Sequence, residues 1–140
     1  RGAQIAKVAT PEGELIVVNW HLGLAEIERR WQVKQVLDHA VMSEHKHLPT
    51  IVAGDCNDWR NQLHPRCFAP AGFDHVTAPP SRYRSFPAAM SLGSLDKAFT
   101  RGPIHVRSAH VVRSALARDA SDHLPLVVDF HLDHSLTVAS

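Results

Sequence analysis

Residues 50–58 read Thr50-Ile51-Val52-Ala53-Gly54-Asp55-Cys56-Asn57-Asp58, and their reading decides the fold. Four residues without a charge, two of them β-branched and apolar, predict a short buried strand. Glycine then breaks the run, and an acid, an amide and a second acid follow at the strand's end. An aspartate in that position is commonly a turn former or a helix cap, so Gly-Asp-x-Asn by itself need be no more than a β-turn. Asp58 is read as support for this loop.

Outward toward the N-terminus, the residues from Ala25 to about Glu44 change period. Ile27, Val33, Val36, Leu37, Ala40 and Val41 recur at three- and four-residue steps among Glu, Arg, Lys and Gln, which predicts one amphipathic helix. His45-Lys46-His47-Leu48-Pro49 ends it, because basic groups suit the negative helix terminus and proline disfavours helix in the residue before it. Trp31 on this helix is read as packing against the sheet. Ahead of the helix, Ala3–Thr10 and Leu15–Val18 flank Pro11-Glu12-Gly13, a hairpin signal. The second of these strands is apolar on successive residues, so it belongs inside a sheet covered on both faces.

Toward the C-terminus, Trp59 to Phe68 predicts one or two helical turns interrupted at Pro65, and Pro70 to Pro87 an irregular surface loop. Leu95–Thr100, Ile104–Val112 and Leu124–Leu132 are three further strands. The order β, β, α, β, loop, β, β, β fits an α/β sandwich better than a doubly wound nucleotide fold, and no Gly-rich phosphate loop is present. One domain over 1–140 is expected. The 44% apolar and 21% charged composition suits a folded core, and the absence of a long apolar run excludes a spanning helix. A net charge of +1 offers no global case for a strong nucleic-acid or membrane binder. Cys56 and Cys67 follow no zinc spacing and are read as reduced, which suits a cytoplasmic location.

Four segments place a charged or imidazole group at the end of a strand: Asn19-Trp20-His21-Leu22, Gly54-Asp55-Cys56-Asn57, Leu95-Asp96 and Ser121-Asp122-His123. Singly each is weak. Together, in this order, they resemble the N-T-H-L, G-D-x-N, L-D and S-D-H motifs of the endonuclease/exonuclease/phosphatase family, whose members resemble pancreatic deoxyribonuclease in fold. Glu28-Arg29, Gln32, Phe86-Pro87 and Arg101-Gly102 add to the likeness, which runs from Ala3 to Leu132.

The resemblance implies a partial four-layer α/β sandwich, the C-terminal portion of such a domain, and divalent-metal-dependent hydrolysis of phosphoesters. It implies that Asp55 orients or deprotonates the attacking water, that Asn57 holds a phosphate oxygen and that water, and that Asp122 ligates the metal. His123, held by Asp96, would contact the scissile phosphate as base or stabiliser, and His21 would bind another phosphate oxygen. Asp55, Asn57 and Asp122 are oxygen donors, the kind that favour Mg2+ or Mn2+ over Zn2+. Trp59, Arg82 and Arg84 are candidate substrate contacts, combining aromatic and cationic groups near that turn. Trp20 and Cys56 stand where the family has other residues and are read as packing substitutions.

The family's strand Asn and its principal metal-binding Glu lie upstream of the hairpin with which this chain begins, at Arg1. The missing N-terminal half of the domain would then complete the site, and the chain alone is expected to be inactive or impaired and to expose a sheet edge and an apolar face. The substrate is left open between nucleic acid, a phospholipid headgroup and a small phosphate ester. Two other readings stand beside the enzyme: a non-catalytic module that binds phosphate or a partner chain, and a zinc hydrolase built from the histidines. Against the zinc reading, His45 and His47 are two residues apart and point to different helix faces.

Overall fold

The computed structural model describes residues 1–133. The expected single domain extends over residues 134–140, which lie outside the described ones. Strands β1 (Gly2–Thr10) and β2 (Gly13–His21) form the expected antiparallel hairpin, closed at the pair Thr10 and Gly13. The Thr10 hydroxyl secures the turn, donating to the Gly13 carbonyl and accepting from the Glu12 N–H.

After β2 the chain crosses through helices α1 (Glu26–Leu37) and α2 (Ala40–Glu44) and returns as β3 (Thr50–Asp55), parallel to β2. A parallel neighbour requires such a crossover. β5 (Asp96–Arg101) pairs antiparallel with β3, and the two-residue β4 (Asp74–His75) closes the far side, so the sheet runs β1-β2-β3-β5-β4. β6 (Ile104–Val111) and β7 (Leu126–Leu132) form a separate antiparallel pair, with α3 (Ala115–Ala120) in the connection between them.

Alternation along the strands decides which residues face which layer. Ile16, Val18 and Trp20 of β2, Val52 of β3 and Phe99 of β5 pack with Val33, Val36, Met42, Leu63 and Phe68 of the helical side. Leu15 and Ile51 point the other way, onto Ile104, Val128, Phe130 and Leu132 of the β6–β7 pair. Helices, a five-stranded sheet and a second sheet thus stack in order, a mixed α/β sandwich.

Several expectations need correction. The single helix over Ala25–Glu44 is two, because Asp38 ends α1 and His39 is extended, its ring nitrogen accepting from the Val41 N–H as the cap of α2. Trp31 is 61% exposed rather than core. The covered side of α1 is Arg29, Val33 and Val36, and a residue two positions from both Arg29 and Val33 lies on the opposite side. Pro65 sits in the first turn of a π-helical segment, His64–Phe68, instead of interrupting one, since its missing N–H costs nothing there. The segment read as a surface loop holds β4 and buries Phe73, Thr77 and Ser85. α3 was not foreseen at all.

Candidate active site

Sheet register builds the centre of the site. His21 of β2 is the partner of Asp55 of β3, and Asp55 is the partner of Asp96 of β5. Residues opposite one another across neighbouring strands project to the same side. The three side chains therefore form a row at one end of the sheet, on the face turned toward β6–β7. His123 enters this row from the turn between α3 and β7.

Its Nδ1 lies 2.8 Å from Asp96 Oδ2, and its Nε2 lies 3.5 Å from Asp55 Oδ2. His21 Nε2 approaches the same Asp55 oxygen from the other side at 3.3 Å. One carboxylate is thus flanked by two imidazoles. Burial by itself pulls the His123 imidazole downward, but the hydrogen bond and charge of Asp96, joined by the charges of Asp55 and Asp122, outweigh it and raise its pKa above the ordinary value.

Asn57 sits in the left-handed region at φ 47° and is buried. Its backbone N–H donates to Asp55 Oδ1 at 2.8 Å, and its side-chain amide donates to the Leu22 carbonyl, also at 2.8 Å. The turn after β3 is thereby tied to the loop after β2, leaving the Asn57 amide oxygen as an acceptor. Asp58 accepts from the backbone N–H groups of Gln62 and Leu63, which supports the loop as expected.

The sequence reading missed Ser85. Its hydroxyl donates to Asp96 Oδ2, the oxygen that also holds His123, so it helps fix the carboxylate that orients the imidazole. The only signal for it was its place before Phe86-Pro87. Phe86 packs its ring on His123 at 4.7 Å between centroids, and Trp59, 55% exposed, meets Phe86 edge-on at 6.0 Å. Arg29 and Gln32 serve the loop after His21. The Arg29 guanidinium donates to the Gly23 and Leu24 carbonyls, and the Gln32 side-chain oxygen accepts from the Gly23 N–H.

The structure therefore gathers His21, Asp55, Asn57, Asp96 and His123, and sets Trp59 one ring further out. A cavity of about 530 Å³ opens beside them, lined by Asn19, Asp96, Ser121, His123 and apolar residues of β3 and β7. Asp122 is at the margin: it is exposed, and its backbone carbonyl accepts from the Ala88 N–H at 2.7 Å. Arg82 and Arg84 are exposed on the segment leading to Phe86.

The donors available to a metal ion are the carboxylates of Asp55 and Asp122 and the Asn57 amide oxygen. They are hard oxygen ligands, few in number, as Mg2+ accepts when water completes its shell. No group of three or more His, Cys, Asp or Glu side chains that could hold an ion occurs among the described residues, the His45–His47 neighbourhood included. Cys56 and Cys67 are free thiols, and burial pushes Cys56 up to about 12.

A family model described as the Endonuclease/Exonuclease/phosphatase family matches residues 2–123. The uncharacterized protein YbhP of Escherichia coli strain K12 is 33% identical over 141 residues, which cover 94% of this chain and 53% of YbhP. The chain thus spans about half the length of the curated relatives it matches. Among solved structures, a humanized TDP2 of D. rerio superposes with a TM-score of 0.73 at 22% identity, covering 92% of this chain and 60% of that one. The mannosyl-6-phosphatase Bt3783 of Bacteroides thetaiotaomicron does so with a TM-score of 0.64 at 22% identity, covering 85% and 52%.

Proposed function

The chain belongs to the endonuclease/exonuclease/phosphatase family, and from that premise we propose that it carries most of the catalytic centre of a divalent-metal-dependent phosphoester hydrolase. The observation that supports this best is the Asp55 carboxylate held between the imidazoles of His21 and His123, with His123 in turn held by Asp96. A phosphoester is an anion that repels hydroxide, so its hydrolysis needs a positioned water, cationic donors for the phosphate oxygens and neutralisation of charge.

In this reading Asp55 orients and deprotonates the attacking water, and Asn57 steadies that water or a phosphate oxygen through its free amide oxygen or amide hydrogen. His123 and His21, one on each side of Asp55, donate to non-bridging phosphate oxygens. Asp96 and Ser85 are positioning residues, acting through His123. Mg2+ or Mn2+, held by Asp122 and Asp55 with Asn57 nearby, would supply charge neutralisation when bound. Trp59, Arg82 and Arg84 would contact the substrate beyond its scissile phosphate. That substrate is a nucleic acid, a phospholipid headgroup or a small phosphate ester.

The test is the full-length protein with Mg2+, assayed on bis(p-nitrophenyl) phosphate and p-nitrophenyl phosphate. Asp55→Asn and His123→Ala are expected to lower kcat by roughly 10²- to 10⁴-fold while leaving the circular dichroism spectrum intact. Wild-type rates in both variants would overturn the assignment.

One observation favours a second reading, a module that binds phosphate without hydrolysing it: no three-ligand metal group converges among the described residues. That reading predicts phosphate binding with no Mg2+-dependent turnover in the full-length protein.

A further inference from the structure

Beyond the row of His21, Asp55, Asp96 and His123, a second and smaller cavity of about 220 Å³ lies on the far side of Trp59. Its walls include Trp59, Asn61, Ser81, Arg84, Leu92 and Ser94. Two ring contacts lead to it from the catalytic region, His123 onto Phe86 and Phe86 onto Trp59. The cavity is therefore within reach of a substrate whose phosphate sits at His123.

Its polar groups are nearly all donors. Arg84 can only donate, and its guanidinium forms no salt bridge among the described residues. The Asn61 side-chain oxygen is already taken by the ammonium of Lys97 at 2.7 Å, which leaves its amide hydrogens. Lys97 is itself buried beneath the cavity and also donates to the Ser94 carbonyl. Ser94 is buried, and its hydroxyl has no hydrogen-bond partner. That hydroxyl is closed off from solvent, so a ligand in the cavity meets Arg84, Asn61 and Ser81 instead. Asn61 is held at φ 55°, a conformation that a side-chain anchor such as the Lys97 contact helps to fix.

We infer that this cavity binds a second phosphate of the substrate, separated from the scissile one by a short organic spacer that lies against Trp59 and Phe86. An acceptor-rich anion is the chemistry that a donor-rich lining selects, and an exposed indole beside it supplies an apolar wall for the spacer. The inference rests on the proposed hydrolytic site and narrows its substrate class to esters carrying two phosphates.

The experiment compares two chromogenic diesters in the full-length protein with Mg2+: the p-nitrophenyl phosphodiester of thymidine, without and with a second phosphate on the sugar. The second phosphate is expected to raise kcat/KM about tenfold, the gain of one good charge-assisted contact. In Arg84→Gln that ratio should fall close to one. Equal kcat/KM for the two diesters in the parent protein, or a ratio that survives Arg84→Gln, overturns the inference. The same pair built on glycerol separates the sources of the phosphate. A gain with both spacers supports recognition of any second phosphate, and a gain with thymidine alone supports a nucleotide.

If neither diester is hydrolysed, the hydrolytic reading fails by itself, and binding still judges the cavity. Pyrophosphate is titrated into isotope-labelled protein, following the indole N–H resonance of Trp59, identified by its loss in Trp59→Phe. A saturable shift that disappears in Arg84→Gln supports the second anion site. No shift, or an equal shift in Arg84→Gln, overturns it.

Discussion

The His123 imidazole shows how far a site can be set by one neighbouring carboxylate. Its raised pKa survives an opposing desolvation because Asp96 both accepts its hydrogen bond and supplies a negative charge. For a group raised above its unfolded value of 6.5, the stabilisation is fully present below that value and is lost as pH rises through the folded pKa. Asp96→Asn should therefore lower the His123 pKa, read by its ring proton shifts in an NMR titration. It should also remove the alkaline part of the stability loss, read by urea unfolding at several pH values. Gly54 is a second residue with a single physical demand on it. Its φ is +143°, and a Cβ there would stand 2.1 Å from the Trp20 carbonyl oxygen, a backbone atom of the adjacent strand. Gly54→Ala is expected to cost more than about 3 kcal/mol in denaturant unfolding, because neither the conformation nor the clash can relax cheaply.

At the scale of elements, the turn that delivers His123 depends on α3. This helix is six residues long, too short to persist without help, and the Ser114 hydroxyl accepts from the Ala117 N–H at its start. Ser114→Ala should cost about 1 kcal/mol of stability in chemical unfolding. The four motif segments were legible from their residues and order, although only those after β2 and β3 end a strand: Leu95-Asp96 opens β5, and Ser121-Asp122-His123 lies between α3 and β7. α3 was not legible: six residues are under two turns, too short to show a helical period, and its burial is confined to Ala117. The break between α1 and α2 was missed for a related reason. Apolar spacing continues across Asp38-His39, and only the cap made by the His39 ring reveals the interruption.

At the scale of the whole molecule, two imidazoles pull stability in opposite directions with pH. His75 packs against both His64 and Phe99, and burial, helped by the charges of His64 and Lys97, lowers its pKa to about 4. Between the unfolded value of 6.5 and that value the unfolded chain binds the proton more readily, so stability falls as pH falls through this window. With His123 losing its contribution on the alkaline side, unfolding free energy should peak between the two limbs. His75→Phe, which keeps the ring stack and removes the proton, is expected to flatten the acid limb, and an unchanged limb would count against this account. The two sheets meet only partly: β1 pairs with β2 alone, and Val8 on its inward side is 36% exposed. No helix among the described residues is long and apolar enough to cross a membrane.

What the sequence determined by itself was the succession of every strand but β4, the class of fold and the identity of the residues at the ends of β2, β3 and β5, because period, turn residues and motif order are local properties of the chain. What only the tertiary structure decided was which of those residues meet. Strand register placed His21, Asp55 and Asp96 in one row, and chain packing brought His123 onto it while leaving Asp122 at the margin. The role of Ser85, the outward turn of Trp31 and the donor-lined cavity beyond Trp59 likewise depend on contacts between segments distant in sequence, which no local pattern encodes.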